Sequence, residues 1–201
     1  MAASINNIEA RICDCALQRF TASGYSGVTM EEIARSCGIG KATLYKHFAS
    51  KEALMLACVD YAAGHVGAAA QSVIEDPAAT PVQKLEGIVG AVIHFISHIN
   101  GPAVSDIRRN IPQAWERIET ARHRLIFSNI TRIINEGKES GVFLETLEPM
   151  LVANILIGAA SQITTPEVLE ELGGTPGQIF GGVLSVVIGG CLTDAGRAAM
   201  R

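Results

Sequence analysis

The chain has 201 residues, of which 48% are apolar and 18% are charged, so it can bury a core and is not intrinsically disordered. Its five cysteines include no C-x-x-C pair, which argues against a disulfide framework or a zinc ribbon and fits a reducing compartment. The net charge of −4 excludes a generally basic protein. Residues 1–51 nevertheless hold six basic and four acidic side chains, against ten and sixteen in the remainder. Any anion is therefore expected to bind near the N-terminal end.

No segment predicts an export signal or a membrane span. Asn6, Asn7 and Glu9 interrupt the apolar run that a signal peptide needs. The longest uncharged stretch, residues 172–193, has an apolar centre of 14 residues, and a spanning helix needs ~20. We therefore expect a soluble, cytoplasmic protein that makes no contact with a membrane.

Helical periodicity runs through the first third of the chain. A first amphipathic stripe is formed by Ile5, Ile8, Ile12, Ala16 and Phe20. Gly24 ends that helix, and the capping box of Thr29 and Glu32 begins a second one. A third helix is predicted over residues 41–48. A fourth is capped by Ser50 and ends at Asp76-Pro77.

The remaining chain predicts further helices near residues 81–100, 103–110, 112–140, 149–163 and 176–194. Capping boxes begin two of them, with Thr80 and Gln83 at one start and Thr175 and Gln178 at the other. Because no alternating β-branched run is long enough for a sheet, the fold class is all-α, with about nine helices. We expect an N-terminal three-helix domain over residues 1–50 and a larger helical domain over residues 51–201.

Residues 29–51 have the pattern of a helix-turn-helix. Ala34 provides the small residue where two helices cross, and Gly38 provides the left-handed turn. Apolar residues that would fix the crossing angle are Ile33, Ile39 and Leu44. The third helix then presents polar side chains suited to phosphates and base edges. An ordinary helical hairpin with a solvated polar face is the alternative.

The segment T-L-Y-K-H-F-A-S-K-E-A-L, residues 43–54, favours the helix-turn-helix over an ordinary helical hairpin. Together with Val28-Thr29-Met30, Ile33-Ala34 and Cys37-Gly38-Ile39, it resembles the N-terminal module of tetracycline-repressor-like (TetR) transcription regulators, over about residues 8–56. The resemblance implies a homodimer whose recognition helices enter successive major grooves of double-stranded DNA. It also implies a C-terminal helical domain that dimerises and binds a small-molecule effector.

Carried over by position, the resemblance implies a set of DNA-binding residues. Thr29 and Lys51 resemble the phosphate clamps. The recognition-helix residues are Gly40, Lys41, Thr43, Tyr45, Lys46 and His47. Two positions depart from the family pattern: Gly40 stands where a serine or threonine often caps the helix, and Arg19 replaces a commonly apolar residue.

Small residues concentrate in the last two predicted helices and just after them, at Gly158-Ala159-Ala160-Ser161, Gly181-Gly182, Gly189-Gly190 and Ala195-Gly196. Glycine lowers helix stability by ~1 kcal/mol relative to alanine, so its repeated use indicates that close approach of backbones matters there. We expect these helices to form a four-helix homodimer interface. Packing within one subunit is the alternative.

The middle helices hold candidates for an effector pocket with apolar walls and a few polar groups. These residues are Phe95, Ile99, Trp115, Ile118, Arg122, Leu125, Ile126 and Asn129. Arg122 in such a pocket would favour an effector with an acid or a carbonyl group. Burial in the core, or surface exposure for Arg122, is the plainer alternative.

No constellation of residues predicts an enzyme, and no cofactor or metal site is expected. His94 and His98 have metal-ligand spacing, but the glutamate of a zinc hydrolase motif is missing. The cysteines are expected to be core residues, with a thiol sensor as the alternative. The sequence thus favours a dimeric, effector-released repressor of transcription. The alternatives are a transcriptional activator, or a helix-turn-helix protein that acts through a protein partner.

Overall fold

The computed structural model describes residues 7–96, 101–162 and 165–199, and every regular element longer than a single β-bridge in those ranges is a helix. The all-α prediction is therefore confirmed. The elements are α1 (Asn7–Ser23), α2 (Met30–Ser36), α3 (Lys41–His47), α4 (Lys51–Ile74), α5 (Pro81–Ile96), α6 (Gly101–Asn110), α7 (Pro112–Glu139), α8 (Pro149–Gln162), α9 (Pro166–Leu172), α10 (Pro176–Cys191) and α11 (Asp194–Ala199).

The three predicted capping boxes begin helices as expected. At α2 the backbone N–H of Glu32 donates to Thr29 Oγ1 (3.2 Å), and the Glu32 carboxylate accepts from the Thr29 backbone N–H (2.8 Å). Thr80 with Gln83 and Thr175 with Gln178 repeat this exchange at α5 and α10. These reciprocal bonds satisfy helix N–H groups that lack an intrahelical acceptor.

The described residues contain eleven helices, two more than the sequence predicted. The additional ones are α9, of seven residues, and α11, of six. Both are too short for an apolar stripe to repeat, so periodicity could not reveal them. Local chemistry marks their starts instead: Pro166 stands at the first position of α9, and the Gly196 N–H donates to Thr193 Oγ1 at α11 (3.0 Å).

The chain divides into two compact units that are discontinuous in sequence. The first consists of residues 1–65 and 98–119, and the second of residues 66–97 and 120–201. The core of the first unit contains Ile12, Phe20 and Leu44, whereas that of the second contains Ile133 and Phe143. The first unit thus includes α6 and the start of α7, which lie outside the predicted 1–50 domain.

One helix among the described residues, α4, is long and apolar enough by length and composition to cross a membrane. Its best window of 18 residues has a mean hydropathy of 1.3, and 33% of that window is buried within the protein. Asp60 interrupts the apolar run of this helix, so the helix does not form an uncharged stretch of the sequence. A core helix of similar length meets the same criterion.

Gly137 allows α7 to pack against the ring of Phe143. A Cβ at position 137 would overlap that ring. Because Phe143 is only 1% exposed, its ring cannot move out into solvent to make room. Alanine is favoured over glycine in a helix by about 1 kcal/mol, but overpacking of a core costs about 1–3 kcal/mol. We therefore expect Gly137→Ala to lower the thermal unfolding midpoint by a few degrees. Gly64→Ala is the control, since a Cβ at this exposed α4 site meets nothing within 4 Å and should raise the midpoint. A higher midpoint for both variants would contradict the packing argument.

Candidate nucleic-acid interface

The turn between α2 and α3 is fixed by a small apolar core and one left-handed glycine. Ile33 and Leu44 are fully buried, and Ala34 is 3% exposed where the two helices cross. Gly38 has a φ of +67°, a conformation that side chains other than glycine rarely adopt. The Ile39 N–H then donates to the carbonyl of Ala34 (3.0 Å), which closes the turn. The helix-turn-helix prediction is confirmed in these particulars.

Helix α3 presents a polar surface opposite its buried Leu44. Lys41, Tyr45 and Lys46 are exposed, while Thr43 and His47 are half-buried. Tyr45 is a large aromatic residue with 41% of its surface exposed. Two cations, a hydroxyl and a phenol within two helical turns offer donors for phosphate oxygens and for base edges. The predicted recognition residues from Lys41 to His47 therefore share one short helix, and Gly40 is its N-cap.

Lys41 already has an anionic partner in the free protein. Its ammonium pairs with the Glu31 carboxylate on α2 and lies 5.7 Å from the centre of the Tyr45 ring. The hydrogen bond between the two groups lowers the pKa of Glu31 and raises the pKa of Lys41. Both side chains are largely exposed, so a phosphate can compete with Glu31 for the lysine.

The two ends of α3 are held differently. At its start, Gly40 has extended backbone geometry and provides no side-chain cap, as the departure from the family pattern implied. At its end, His47 Nδ1 lies 3.2 Å from Glu9 Oε1 on α1, and Phe48 is buried. The C-terminal end of the recognition helix is thus anchored to α1. Its N-terminal end has no side-chain cap, and there the exposed Lys41–Glu31 ion pair joins it to α2.

The two predicted phosphate clamps also have contacts within the chain. The Thr29 hydroxyl takes part in the capping box of α2. The Lys51 ammonium donates to the carbonyls of Tyr25 (2.9 Å) and Val28 (2.8 Å) and lies 4.1 Å from the centre of the Tyr25 ring. Lys51 therefore fixes the α1–α2 loop that carries Thr29, and a phosphate role for Lys51 stays a prediction.

Asp106 of α6 also holds this loop, although no pattern in the sequence indicates such a role. Its carboxylate accepts from the Ser26 backbone N–H and from the Ser26 hydroxyl, both at 2.6 Å. A Cβ at Gly24, whose φ is +74°, would lie 2.9 Å from Asp106 Oδ2. No local signal could reveal a contact between residues 80 positions apart.

Asp106 gives the first unit a stability that depends on pH. Burial disfavours its charged form, but the hydrogen bonds from Ser26 and Asn110 outweigh burial and lower the pKa of Asp106. A carboxylate with a lowered folded-state pKa stabilises the protein above its unfolded pKa, near 3.8, and this contribution is lost as pH falls through the folded value. We expect Asp106→Asn to be less stable than the parent at pH 7, with the difference closing below about pH 4. Urea unfolding at several pH values measures the free energy of unfolding of both proteins, with the exposed Glu86→Gln as control. A difference in stability that does not change with pH would contradict the role of the Asp106 charge.

The predicted effector residues are distributed over both units. Trp115 and Ile118 belong to the first, where both are half-buried and the Arg108 guanidinium lies 5.7 Å from the Trp115 ring. In the second unit Ile126 is a core residue, Leu125 packs against the same core, and Asn129 is half-buried. The side chain of Phe95 and the whole of Ile99 lie outside the described residues. A pocket made by this set stays a prediction.

Arg122 contacts the C-terminal end of α8. Its guanidinium donates to the Ala160 carbonyl (3.0 Å) and to Ser161 Oγ (2.9 Å). A cation at the carboxyl end of a helix is favourably placed, because the last carbonyls lack intrahelical donors. The residue therefore has a structural role whether or not it also meets an effector.

The part of the chain that the structure describes contains no group of three or more His, Cys, Asp or Glu side chains able to hold a metal ion. The histidine pair weighed above falls outside this statement, since the His94 side chain and residue His98 are not among the described residues.

Comparison with known proteins agrees with this geometry. The family described as "Bacterial regulatory proteins, tetR family" matches residues 12–58, which run from α1 into α4. The HTH-type transcriptional regulator YerO of Bacillus subtilis is 35% identical over 81 residues, 40% of this chain and 28% of its own length. The HTH-type transcriptional repressor DhaR of a Mycobacterium species is 26% identical over 145 residues, 71% of this chain and 73% of its own length.

A solved structure extends the likeness to almost the whole fold. FadR of Bacillus subtilis, in complex with stearoyl-CoA, superposes with a TM-score of 0.66 and 19% identity over 89% of this chain and 96% of that one. At this identity the likeness concerns the fold. The match over residues 12–58, the left-handed glycine turn and the exposed polar face of α3 agree with one another. We conclude that this part of the chain is a helix-turn-helix of the tetR family of bacterial regulatory proteins.

Proposed function

We propose that the protein is an effector-released repressor of transcription that binds a pseudo-palindromic operator as a homodimer. The observation that carries this proposal is the polar face of α3, where Lys41, Tyr45 and Lys46 stand exposed on a helix anchored to its neighbours. The name of DhaR, a repressor, supports the direction of regulation. A chromosomal operator would place its site of action in the cytoplasm.

Exposed apolar faces on α8 and α10 support the dimer. Val186 on α10 is 77% exposed, and on α8 Leu151 and Ile155 are 59% and 49% exposed. Leu151, Ile155 and Gly158 recur at helical spacing, so they share one face of α8. Large exposed apolar patches of this kind mark interaction surfaces. The two helices pack against each other within the second unit, so both can contribute to one interface.

The glycines of α8 and α10 also support a dimer interface on these helices. A Cβ built at Gly158, Gly182, Gly189 or Gly190 would meet nothing within 4 Å. These four glycines therefore do not serve close packing inside one chain. Gly196 does, because a Cβ there would overlap the carbonyl oxygen of Val142. A second copy of α8 and α10 can approach the bare backbone at the four glycines, as small residues at helix interfaces permit. The interface would then be a four-helix bundle formed by two subunits.

The two-fold symmetry of the dimer determines the symmetry of the operator. Two α3 helices related by a two-fold axis can enter major grooves one turn of DNA apart, ~34 Å, and then read inverted half-sites. An effector that changes this separation by a few ångströms breaks simultaneous contact with both half-sites. The coupling between effector and operator is then a free energy of about 1–3 kcal/mol.

We expect the effector to be small and mostly apolar. The stearoyl-CoA bound by FadR is an example of an apolar chain held by a protein of the same fold. Trp115 is the single tryptophan of the chain, so its fluorescence reports its surroundings without interference. An effector that contacts the predicted pocket residues should change the fluorescence emission of Trp115 when it binds. Tight binding without a change in emission would remove Trp115 from the pocket.

Salt-dependent binding to DNA tests the proposal. We would measure anisotropy of a labelled duplex from upstream of the protein's own coding region, at several salt concentrations, with a scrambled duplex as control. Tight binding that prefers the upstream sequence and weakens steeply with salt is expected, because each phosphate contact releases counterions. Failure to bind this duplex and also any sequence selected from random DNA would overturn the proposal. It would favour the alternative that the helix-turn-helix acts through a protein partner.

A further inference from the structure

The imidazole of His47 and the carboxylate of Glu9 join the recognition helix to α1. His47 Nδ1 lies 3.2 Å from Glu9 Oε1, and the two side chains are 18% and 27% exposed. The contact lies within the first compact unit and joins residues 38 positions apart. A side chain of the recognition helix is therefore held by a residue from outside the helix-turn-helix of residues 29–51.

The partner of Nδ1 determines where the imidazole carries its hydrogen. A glutamate side chain is ionised at neutral pH and then only accepts hydrogen bonds. Nδ1 of His47 must therefore carry the hydrogen that it donates to Glu9, and a neutral imidazole has a single N–H. The other ring nitrogen, Nε2, is left with a lone pair and no hydrogen. In its neutral form His47 thus presents an acceptor, which a phosphate oxygen repels.

Nε2 of His47 is accessible from water. Within the part of the chain that the structure describes, the imidazole has no hydrogen bond besides the one to Glu9. Nε2 is also not one of the buried polar atoms that lack a partner. Lys46, the preceding residue, is exposed on the same helix. A ligand from solution can therefore reach this nitrogen at the C-terminal end of α3.

We propose that Glu9 is a positioning residue that makes operator binding depend on proton uptake by His47. The proposal rests on the proposed function, since it requires a DNA phosphate at Nε2. With Nδ1 bonded to Glu9, Nε2 gains a hydrogen only when the ring takes up a proton from water and becomes an imidazolium, which donates from both nitrogens. The imidazolium then forms charge-assisted hydrogen bonds to the carboxylate and to the phosphate. Each subunit takes up one proton on binding, so operator affinity rises as pH falls.

The charged groups around His47 leave Glu9 as its acidic partner. Among the described residues, Glu9 is the one acidic side chain in ion-pair contact with the imidazole. Lys46 on the same helix opposes a second positive charge, whereas Glu9 and a bound phosphate both stabilise it. Charged groups on the adjoining helices have other partners: Glu31 pairs with Lys41 and Glu32 bonds Thr29 on α2, and Lys51 of α4 bonds the α1–α2 loop.

The pH dependence of operator affinity tests the proposal. Anisotropy is measured at constant ionic strength between about pH 6 and about pH 8, the range in which an imidazole changes its charge. The affinity of the parent should fall at least about tenfold over this range, because binding is linked to proton uptake. Glu9→Gln should give a flat profile, since its amide can donate to Nδ1 and leave the hydrogen of a neutral ring on Nε2. This variant should therefore bind more tightly than the parent at the upper end of the range.

Two further variants separate proton uptake from simple anchoring. His47→Gln should also give a flat profile, because an amide donates to phosphate without taking up a proton. His65→Gln is the matched control, since it removes an exposed imidazole from α4 in the same compact unit and should keep the parent's profile. A parent affinity that does not change with pH would overturn the proposal. A Glu9→Gln protein that binds more weakly than the parent by the same factor at every pH would also overturn it, because an anchor without a protonation role gives that result.

The position of the hydrogen has a readout that needs no DNA. Nitrogen NMR of the full-length protein with labelled histidine, recorded at about pH 8, distinguishes protonated from unprotonated ring nitrogens, and His47→Gln identifies the His47 signals. We expect the hydrogen on Nδ1 in the parent and on Nε2 in Glu9→Gln. A parent with the hydrogen on Nε2 would overturn the proposal. If the protein binds no operator at any pH, the proposed function fails, while the NMR signals still decide whether Glu9 places the hydrogen.

Discussion

Val186→Glu is expected to convert the dimer into monomers and to lower operator affinity at least about 100-fold, or about 2.8 kcal/mol. Val186 is 77% exposed on α10, so the substitution leaves the fold of one subunit intact. In the proposed interface, each subunit would instead bury an unpaired carboxylate, which costs several kcal/mol. A monomer has a single recognition helix and loses the second half-site.

Light scattering coupled to size-exclusion chromatography measures the oligomeric state, and anisotropy measures operator binding. Ala69→Glu is the matched control, because it places the same charge on an exposed site of α4 in the same compact unit. The control should remain a dimer and bind like the parent. A Val186→Glu protein that stays dimeric would place the subunit interface elsewhere than on α10.

The second large effect is expected from the recognition helix. Loss of one base contact costs about 1–3 kcal/mol, and a dimer loses two copies at once. Thr43→Ala should therefore weaken operator binding about 30-fold or more, with little change on the scrambled duplex. Lys46→Ala should weaken both duplexes alike, because a phosphate contact carries no sequence information.

The salt dependence separates these two roles. Lys46→Ala should reduce the slope of log affinity against log salt by about 2, one contact for each subunit, while Thr43→Ala leaves the slope unchanged. Arg124→Ala removes an exposed cation from α7 in the second unit and should leave both duplexes and the slope unaffected. If Thr43→Ala and Lys46→Ala both bind like the parent, the assignment of α3 as the recognition helix fails.

Lys46 is a better choice for this test than Lys41. The ammonium of Lys41 is already paired with Glu31, so its removal would also release a carboxylate near the DNA. Two opposite effects would then combine in one measured affinity. Lys46 is exposed on the same helix, and its effect on affinity can be interpreted without the contribution of Glu31.

Features of the fold that depend on near neighbours in sequence could be predicted. The capping box of Thr29 and Glu32 and the left-handed turn at Gly38 involve residues at most three positions apart, and both are present. Apolar periodicity does not reveal the short helices α9 and α11, because six or seven residues do not repeat an apolar stripe. Helices α2 and α3 are equally short, but the helix-turn-helix pattern indicated them.

The candidate site was predictable in its residues but not in their partners. Sequence order placed the polar residues of α3 together, since one helix of seven residues holds them all. It gave no sign that Lys51 bonds the carbonyls of the α1–α2 loop, or that Asp106 reaches Ser26. Such contacts join segments 23 to 80 residues apart, and tertiary packing alone decides them.

The Asp106–Ser26 contact also has a consequence for building hybrid regulators. A graft that exchanged only residues 1–50 between relatives would place the Gly24–Ser26 loop against a foreign α6. The transplanted loop would then lose the carboxylate that accepts two hydrogen bonds from Ser26. The transferable unit is discontinuous, comprising residues 1–65 and residues 98–119. Sensors assembled from parts of different regulators should keep both segments from the same parent.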